Sequence, residues 1–273
     1  MADVAFRSID VTRVRGLAWT RATDCAAVEE PLEVRLHGRS FAVIMRTPGA
    51  DRELAAGFLF AERVLEHADD LGTIEYCTDP GAEHPENIVN VTVTRTAADI
   101  DRLLMERRQV MTNSSCGLCG RLTIESLSTD GPPLDVSWMI ERTVLAQLPG
   151  VLRAAQKTFD STGGLHAAGL FTPDGHLEDL AEDVGRHNAV DKVIGRMLMR
   201  EALPLSERLL FVSGRTSFEI LQKAFLAGIS VVAGVSAPST LAVDLAAEAG
   251  ITLVGFVRGD GFNIYAHPNR IKP

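Results

Sequence analysis

The chain has 273 residues, of which 46% are hydrophobic and 23% charged, as in an ordinary soluble globular protein with a buried core. That length suits one large domain or two small ones. Four cysteines are too few for a disulfide framework, and a net charge of -9 argues against general nucleic-acid binding.

The opening residues, MADVAFRSIDVTRVRG, lack the apolar run that a secretory signal requires, so we expect a cytoplasmic protein. One uncharged stretch, residues 224–243, is long enough to suggest a membrane span. It contains Gly228, Gly234 and Pro238, however, which divide it into a helix end, a strand, a loop and a helix start. We therefore expect a buried soluble core there and no membrane association.

The first half of the chain predicts a mixed α+β arrangement. Alternation at residues 32–38 and a second apolar run at residues 40–47 predict two paired strands joined at a glycine. An amphipathic helix is expected over residues 48–67, with an apolar face made of Leu54, Phe58, Ala61 and Leu65. A strand at residues 87–94 and a charged helix at residues 97–109 follow.

A polar Gly-Pro-Pro stretch, STDGPPLD at residues 128–135, marks a change of composition near the middle of the chain. We therefore predict two domains. Residues 1–130 form a smaller mixed α+β domain that ends in a CxxC loop, and residues 131–273 form an α/β domain.

The second half alternates short apolar runs with helical segments, which predicts an α/β fold built on a parallel sheet. A strand hairpin at residues 165–183 and a helix at residues 185–200 come first. A strand, a helix, a strand, a helix and a final strand follow, at residues 208–214, 216–228, 229–234, 240–250 and 251–261.

Ligands of open α/β sheets bind at the carboxyl ends of the strands. Here those ends carry three loops rich in small residues, at 213–215, 234–239 and 256–261, with two helix N-termini beside them. Free N–H groups at helix starts bind phosphate or other anions, and Arg215 and Arg258 would add positive charge. Each loop alone is explained by a tight turn, but three converging loops predict an anion site.

Cys116 and Cys119 form a CxxC motif within NSSCGLCGR, residues 113–121. A structural zinc site needs about four ligands, and this motif supplies two. A thioredoxin-type redox pair would normally open a helix after an early strand, whereas this pair follows a charged helix. The small, polar, glycine-rich context is typical of an exposed loop. A nucleophilic thiolate on such a loop is the favoured interpretation, with redox exchange and structural zinc as alternatives.

Asp183, His187 and Asp191 are spaced at i, i+4 and i+8, so they would share one helical face. One interpretation is a helix capped by Asp183 with a solvated polar face. The other is a face that lines the ligand pocket at the strand ends. His166 is interpreted as a polar residue near the pocket rather than as a catalytic base.

Four long motifs together resemble the FdhD family of formate dehydrogenase accessory sulfurtransferases. They are MTNSSCGLCGR, AEDVGRHNAVDKVIG, SGRTSFEILQKAFLAGI and the segment from VSAPSTLAVDL to NIYAHP. The likeness extends from the predicted helix at ADRELAAGFLF to the C-terminus. It implies a C-terminal domain similar to the cytidine-deaminase fold, with three α/β/α layers.

The resemblance implies a sulfur carrier. A cysteine desulfurase would load sulfane sulfur on Cys116, and the carrier would pass it to the molybdenum or tungsten of a bis(molybdopterin guanine dinucleotide) cofactor. That transfer would activate formate dehydrogenase, the second expected partner, and a homodimer is also expected. Cys119 would either resolve the persulfide or share the relay.

The resemblance also implies a cofactor-binding segment, which is made of Phe256, Val257, Arg258, Gly259, Asp260 and Gly261. Arg215, and beyond it Arg186 and Lys192, would supply further positive charge to the phosphates. GDP is expected to bind as a fragment of the cofactor, with Asp260 accepting from the guanine edge or turning outward.

Two alternatives come from other classes of protein. A non-catalytic chaperone that holds and delivers the cofactor would need only the binding loops. A zinc deaminase would need H-x-E followed downstream by P-C-x-x-C. Here Ala168 stands where that Glu should be, and the CxxC precedes His166. No metal site is therefore predicted.

Overall fold

The structure, a computed structural model, describes residues 5–96, 99–102 and 131–273. Cys116, Cys119 and the predicted domain boundary near residue 130 lie outside the described residues, and so does most of the predicted helix at 97–109. Residues 99–102 of that helix are helical.

The chain begins with a hairpin that the sequence analysis did not predict. Strands β1 (Phe6–Arg15) and β2 (Ala18–Ala27) pair antiparallel over their full length. Most of their residues are exposed, including Trp19 at 73%, and Leu17 in the turn between them is 101% exposed. Because polar and apolar residues are mixed on both faces of the hairpin, the strands carry little of the apolar alternation by which a half-buried strand is recognised.

A four-stranded sheet with the order β4-β3-β6-β5 follows. Its strands are β3 (Glu30–Leu36), β4 (Arg39–Arg46), β5 (Leu71–Tyr76) and β6 (Ile88–Val93). The predicted strand pair and the predicted strand at 87–94 are thus confirmed. Helix α1 (Asp51–Ala61) packs on this sheet and is shorter than predicted. Leu65, expected on its apolar face, lies beyond the helix but is still buried.

The second half forms a six-stranded sheet with the order β13-β12-β11-β10-β8-β9. Its strands are β8 (His166–Phe171), β9 (Leu177–Asp183), β10 (Leu209–Val212), β11 (Val231–Gly234), β12 (Thr252–Arg258) and β13 (Gly261–Ala266). The predicted hairpin and all three later strands are confirmed. The three central strands β10, β11 and β12 are parallel as expected, whereas β8, β9 and β13 add antiparallel pairs, so the sheet is mixed.

Helices cover both faces of this sheet. One face carries α4 (Arg186–Met199), α5 (Phe218–Leu226) and α6 (Thr240–Ala249), all three predicted. The other face carries α2 (Arg142–Ala155), whose Leu145, Leu148 and Leu152 pack in a second core with Phe171 and Phe211. Short helix α3 (Lys157–Thr162) follows α2, and β7 (Ile140–Glu141) pairs with β14 (Ile271–Lys272). None of the helices in the described ranges has the length and apolar character to cross a bilayer.

Helices α1 and α4 touch backbone to backbone through two glycines. A Cβ atom on Gly57 would lie 1.9 Å from the carbonyl oxygen of Asp191, and one on Gly195 would lie 1.9 Å from that of Glu53. Only residues without a side chain fit at this crossing. The larger hydrophobic core therefore runs from the four-stranded sheet through α1 and α4 into the six-stranded sheet. The division into domains at residue 130 stays a prediction.

Candidate functional site

Strands β10, β11 and β12 end on one edge of the six-stranded sheet, because they are parallel. Strand β8 begins there at His166, opposite the end of β9 at Asp183. Helices α4, α5 and α6 also begin at this edge. The strand-end loops contact one another, since the Ser239 N–H donates to the Thr216 carbonyl at 3.0 Å and the Phe256 N–H donates to the Ser236 carbonyl at 3.2 Å.

The predicted cofactor-binding segment 256–261 is the end of β12 and its turn into β13. Phe256 has φ 55° and Gly259 has φ 59°, both in the left-handed region. Val257 is fully buried and packs in the second core. Arg258 and Asp260 are exposed, and the Arg258 guanidinium lies 5.8 Å from the centre of the Phe256 ring. Arg258 Nε donates to the Val235 carbonyl at 3.1 Å, which joins this segment to the β11 loop.

Two further arginines face the same edge. Arg215 is exposed, and its side chain has no hydrogen bond or ion pair within the described residues. Arg186 opens α4, and its buried Nε has no hydrogen-bonding partner there either. Gly214 lets His166 and Arg186 approach, because a Cβ atom on Gly214 would lie 3.2 Å from His166 Nδ1 and 3.8 Å from Arg186 Cδ. The edge therefore offers cationic groups that form no ion pair with a carboxylate in the part of the chain that the structure describes.

Lys192, which we expected to supply charge to phosphates, is buried at 2% exposure. Its ammonium donates to the Thr47 carbonyl at 2.9 Å and lies 2.7 Å from Asp183 Oδ2. A lysine held in this way is not available to a ligand at the edge, so that expectation is wrong.

Asp183 is the last residue of β9 and is fully buried, so it does not belong to α4, whose N-cap is Gly185. Its Oδ1 accepts from the Gly185 N–H at 2.8 Å and from Asn188 Nδ2 at 2.8 Å. Its Oδ2 accepts from the Thr47 N–H at 3.1 Å. Asp183 thus joins the two halves of the molecule. The interpretation of Asp183 as a helix cap on a solvated face is wrong.

The other two members of the predicted face lie on α4 and face α5. Asp191 is buried and His187 is partly buried. Asp191 accepts from Lys223 Nζ at 2.6 and 2.8 Å. His187 Nε2 lies 3.0 Å from Ser217 Oγ, and its Nδ1 lies 3.4 Å from Glu219 Oε2. The face therefore serves helix–helix contact beside the edge, and the sequence analysis did not single out Ser217, Glu219 or Lys223.

The surroundings of both histidines at the edge favour the neutral imidazole. The pKa of His187 is lowered to about 3, first by burial and then by the positive charges of Arg186 and Lys223. Burial, followed by Arg186, also lowers the pKa of His166. The order hydroxyl, imidazole, carboxylate of Ser217, His187 and Glu219 is that of a serine hydrolase. A histidine with so low a pKa is a poor base at neutral pH, so this cluster is suited to hydrogen bonding rather than to proton abstraction.

A cavity of about 710 Å³ opens beside the strand ends, on the α2 face of the sheet. Ser213 and Val235 belong both to the strand-end loops and to the cavity wall. The remaining wall comes from α2, from α3 and from the segment that leads into β8. No three His, Cys, Asp or Glu side chains of the described ranges come together as a metal site would require.

Known proteins resemble this chain over nearly its whole length. The sequence profile of the FdhD/NarQ family matches residues 27–272. The chain is 52% identical over 270 residues to the sulfur carrier protein FdhD of Streptomyces avermitilis, which covers 96% of this chain and 94% of the relative. It is 43% identical over 268 residues to the protein of that name from Sulfurisphaera tokodaii, with 97% and 98% covered.

A solved structure shares the fold. It is the crystal structure of a protein described as a candidate formate dehydrogenase accessory protein, from Desulfotalea psychrophila. The TM-score is 0.78, and the match covers 98% of this chain and 100% of the other. At 24% sequence identity, this likeness concerns the fold alone.

Proposed function

The chain belongs to the FdhD/NarQ family, and on that basis we propose that it is a sulfur carrier that activates formate dehydrogenase. A cysteine desulfurase donates sulfane sulfur, and Cys116 carries it as a persulfide. The acceptor is the molybdenum or tungsten of a bis(molybdopterin guanine dinucleotide) cofactor. One observation carries the proposal: a glycine-flanked CxxC motif in a chain 52% identical to a relative named as a sulfur carrier protein.

The loading step needs no external oxidant or reductant. The Cys116 thiolate attacks the outer sulfur of the persulfide on the desulfurase. The sulfur–sulfur bond of the donor breaks, the donor cysteine leaves as a thiolate, and a new sulfur–sulfur bond forms on Cys116. Cys119 then either shares the relay or attacks the inner sulfur, which would form a Cys116–Cys119 disulfide and release sulfide.

The protein has a net negative charge, but the edge of the six-stranded sheet is locally positive and could bind the phosphates of the cofactor. Arg215, Arg258 and the unpartnered Nε of Arg186 lie there beside three helix N-termini. The glycine turn at residues 259–261 allows a ligand to approach the backbone closely. We therefore propose that the phosphates bind at this edge, with the metal presented to the loop that carries Cys116.

Mass spectrometry of the intact protein tests the carrier step. After incubation with a cysteine desulfurase and cysteine, the wild type should gain the mass of one sulfur atom on a peptide that contains Cys116. Cys116→Ala should remove that increment and abolish activation of formate dehydrogenase. Cys25→Ala and Cys77→Ala are matched controls, since both cysteines are partly buried and unpaired; they should load sulfur normally. Full activation by Cys116→Ala would place the carrier role elsewhere.

Calorimetry with GDP tests the anion site. Arg258→Ala should weaken GDP binding by about 1–3 kcal/mol, the usual loss for a charge-assisted hydrogen bond. Arg200→Ala serves as a control for nonspecific loss of positive charge, because Arg200 is exposed at the C-terminal end of α4, away from the strand-end edge. Equal GDP affinity in the wild type and in Arg258→Ala would exclude Arg258 from the site.

A cofactor chaperone without sulfur chemistry is the second candidate function, since the strand-end loops alone would serve it. It predicts that Cys116→Ala still delivers active cofactor. The deaminase alternative receives no support from the residues at the edge, because Ala168 is a fully buried methyl group two positions after His166 and supplies no acid.

A further inference from the structure

The β1–β2 hairpin, residues 6–27, forms a projecting arm. Within the described residues its strands pair only with each other, and ten residues at about 3.3 Å each make a ribbon about 33 Å long. The base is anchored, because the Val28 N–H donates to the Ala5 carbonyl at 2.9 Å. At the tip, by contrast, Leu17 is fully exposed. A two-stranded hairpin alone is at best marginally stable in water, so contact of the tip with another surface would stabilise the arm.

The tip combines apolar and cationic side chains. Val14 and Trp19 are opposite each other in the strand register, so they lie on one face of the ribbon, and both are exposed. Arg15 and Arg21 are also exposed, and neither makes an ion pair within the described ranges. Residues 13–21 include three arginines and no acidic residue, although the whole chain has a net charge of -9. Because tryptophan and arginine dominate binding energy at protein interfaces, the tip is suited to an acidic surface with an apolar cleft.

The same chain has a cleft of that kind. Its volume is about 400 Å³, and it lies where α1, α4 and α5 end. Since α4 and α5 begin at the strand-end loops, the cleft is at the opposite edge of the six-stranded sheet. Phe60, Leu198 and Leu226 come from the ends of the three helices and make an apolar floor. The volume is within the range of clefts that bind inserted groups.

Carboxylates surround this floor. Asp69 and Glu201 line the cleft and are exposed, and neither makes an ion pair in the part of the chain that the structure describes. Glu66 also lines it, with its Oε1 accepting from Arg95 Nη2 at 3.1 Å. Two unpaired carboxylates around an apolar floor therefore complement two unpaired guanidinium groups beside Trp19.

We propose that the arm tip of one copy inserts into this cleft of a second copy, and that two copies exchange arms reciprocally. Trp19 packs on the apolar floor, and Arg15 and Arg21 pair with Asp69 and Glu201. The tip does not fill the cleft of its own chain, where Trp19 is left exposed. Reciprocal exchange closes a two-fold dimer, the commonest form of homo-oligomer.

This inference goes beyond the proposed function, because it concerns self-association at surfaces away from the strand-end loops. It gives the homodimer expected from the sequence a specific contact. The family profile begins at residue 27, so residues 6–26 of the arm precede the segment that it matches.

Sedimentation velocity of the full chain tests the arm. The wild type should be a dimer, and Trp19→Ser should raise the dimer dissociation constant by about thirtyfold or more, the loss typical of a buried anchor residue. Phe6→Ser is the matched control, since Phe6 is an exposed aromatic residue at the base of the same arm, and it should dimerise like the wild type. A monomeric wild type, or Trp19→Ser with unchanged dimerisation, overturns the inference.

Charge exchange tests the pairing of arm and cleft. An arm variant carries Arg15→Glu and Arg21→Glu, and a cleft variant carries Asp69→Lys and Glu201→Lys. Each alone should dimerise at least about tenfold more weakly, because like charges then meet. An equimolar mixture should recover wild-type dimerisation, since each arm again meets a cleft of opposite charge. A mixture that dimerises no better than its components overturns the inference.

Fluorescence locates the contact. The chain has two tryptophans, so in a Trp138→Phe background Trp19 is the single emitter. Its quenching by acrylamide should decrease as the protein concentration rises through the dimer dissociation constant. A dimer in which Trp19 is as readily quenched as in the monomer meets through another surface and overturns the inference. Binding of the arm to a cysteine desulfurase by a wild type that stays monomeric would overturn it as well.

Discussion

Two consecutive strand–loop–helix units, β10–α5 and β11–α6, have the same local geometry, but the side chains of their helices contact different partners. Their loops pair with each other through a bridge between Thr216 and Pro238, and each helix has a serine at its N-cap. Ser239 caps its own helix, because its Oγ accepts from the Ala242 N–H at 3.3 Å. Ser217 makes no cap bond and instead lies 3.0 Å from His187 Nε2.

The difference continues along the helices. The acidic residues of α6, Asp244 and Glu248, are exposed, so this helix is held by its cap and its apolar face. In α5, Lys223 is buried at 3% exposure and bonds Asp191 on α4. The backbone of a βα unit therefore does not determine its role. Here α5 is fixed to α4 by charge and hydrogen bonds at the edge where we propose that the cofactor binds.

Of the changes that test this difference, removal of Lys223 should lower the free energy of unfolding most. Lys223→Met leaves Asp191 buried without its cation, which typically costs about 3–5 kcal/mol in the free energy of unfolding. Burial raises the pKa of Asp191 to about 7 against the attraction of Lys223. Without that attraction the pKa rises further, so the variant's deficit should grow as the pH increases. Urea denaturation at several pH values measures it.

Glu248→Ala is the matched control on α6. It removes an exposed charge from the equivalent helix, so the free energy of unfolding should stay within about 0.5 kcal/mol of the wild type. A loss in Lys223→Met no greater than in Glu248→Ala would mean that the charge pair does not hold α5 in place.

His187 should make stability depend on pH. Its pKa is lowered to about 3 in the folded protein, against an ordinary value near 6.5 in the unfolded chain. Between those values the unfolded chain binds a proton and the folded protein does not. Stability is therefore fully present above about pH 6.5 and falls as the pH decreases towards 3, by up to about 1.4 kcal/mol per pH unit.

His187→Gln should flatten that part of the stability profile, because glutamine keeps a hydrogen-bonding side chain but does not titrate. Denaturation midpoints between pH 4 and 7 compare the two proteins. His166→Gln should flatten it less, since His166 is only half-buried and burial is the main cause that lowers its pKa. If His187→Gln loses stability with falling pH as steeply as the wild type, His187 is not the group that is kept neutral in the folded protein.

The sequence predicted the α5 and α6 units well because their strands are short apolar runs bounded by glycine. Leu209, Leu210, Phe211 and Val212 are all buried, since helices cover both faces of the sheet. The prediction that Asp183 belongs to the helix was wrong. Its spacing from His187 fits a helix, but its strand, β9, ends only two residues before the N-cap, and helical spacing alone cannot locate that boundary.

The predicted strand-end loops do meet, because parallel strands bring their carboxyl ends to one edge. Ser217 was not predicted. A serine at a helix start predicts a cap, and only the position of His187 on the neighbouring helix gives Ser217 a different partner.

The smallest expected effect tests the two serines directly. Ser239→Ala should cost about 1 kcal/mol, the usual loss of a helix cap, and this cost should add to that of His187→Ala within about 0.3–0.5 kcal/mol. Ser217→Ala and His187→Ala remove the same hydrogen bond, so in a double-mutant cycle they should couple by about 0.5–1.5 kcal/mol. Denaturation of the single and double variants supplies both cycles. Equal coupling for the two serines would mean that Ser217 is an ordinary cap, and that the α5 and α6 units differ only in their buried charge.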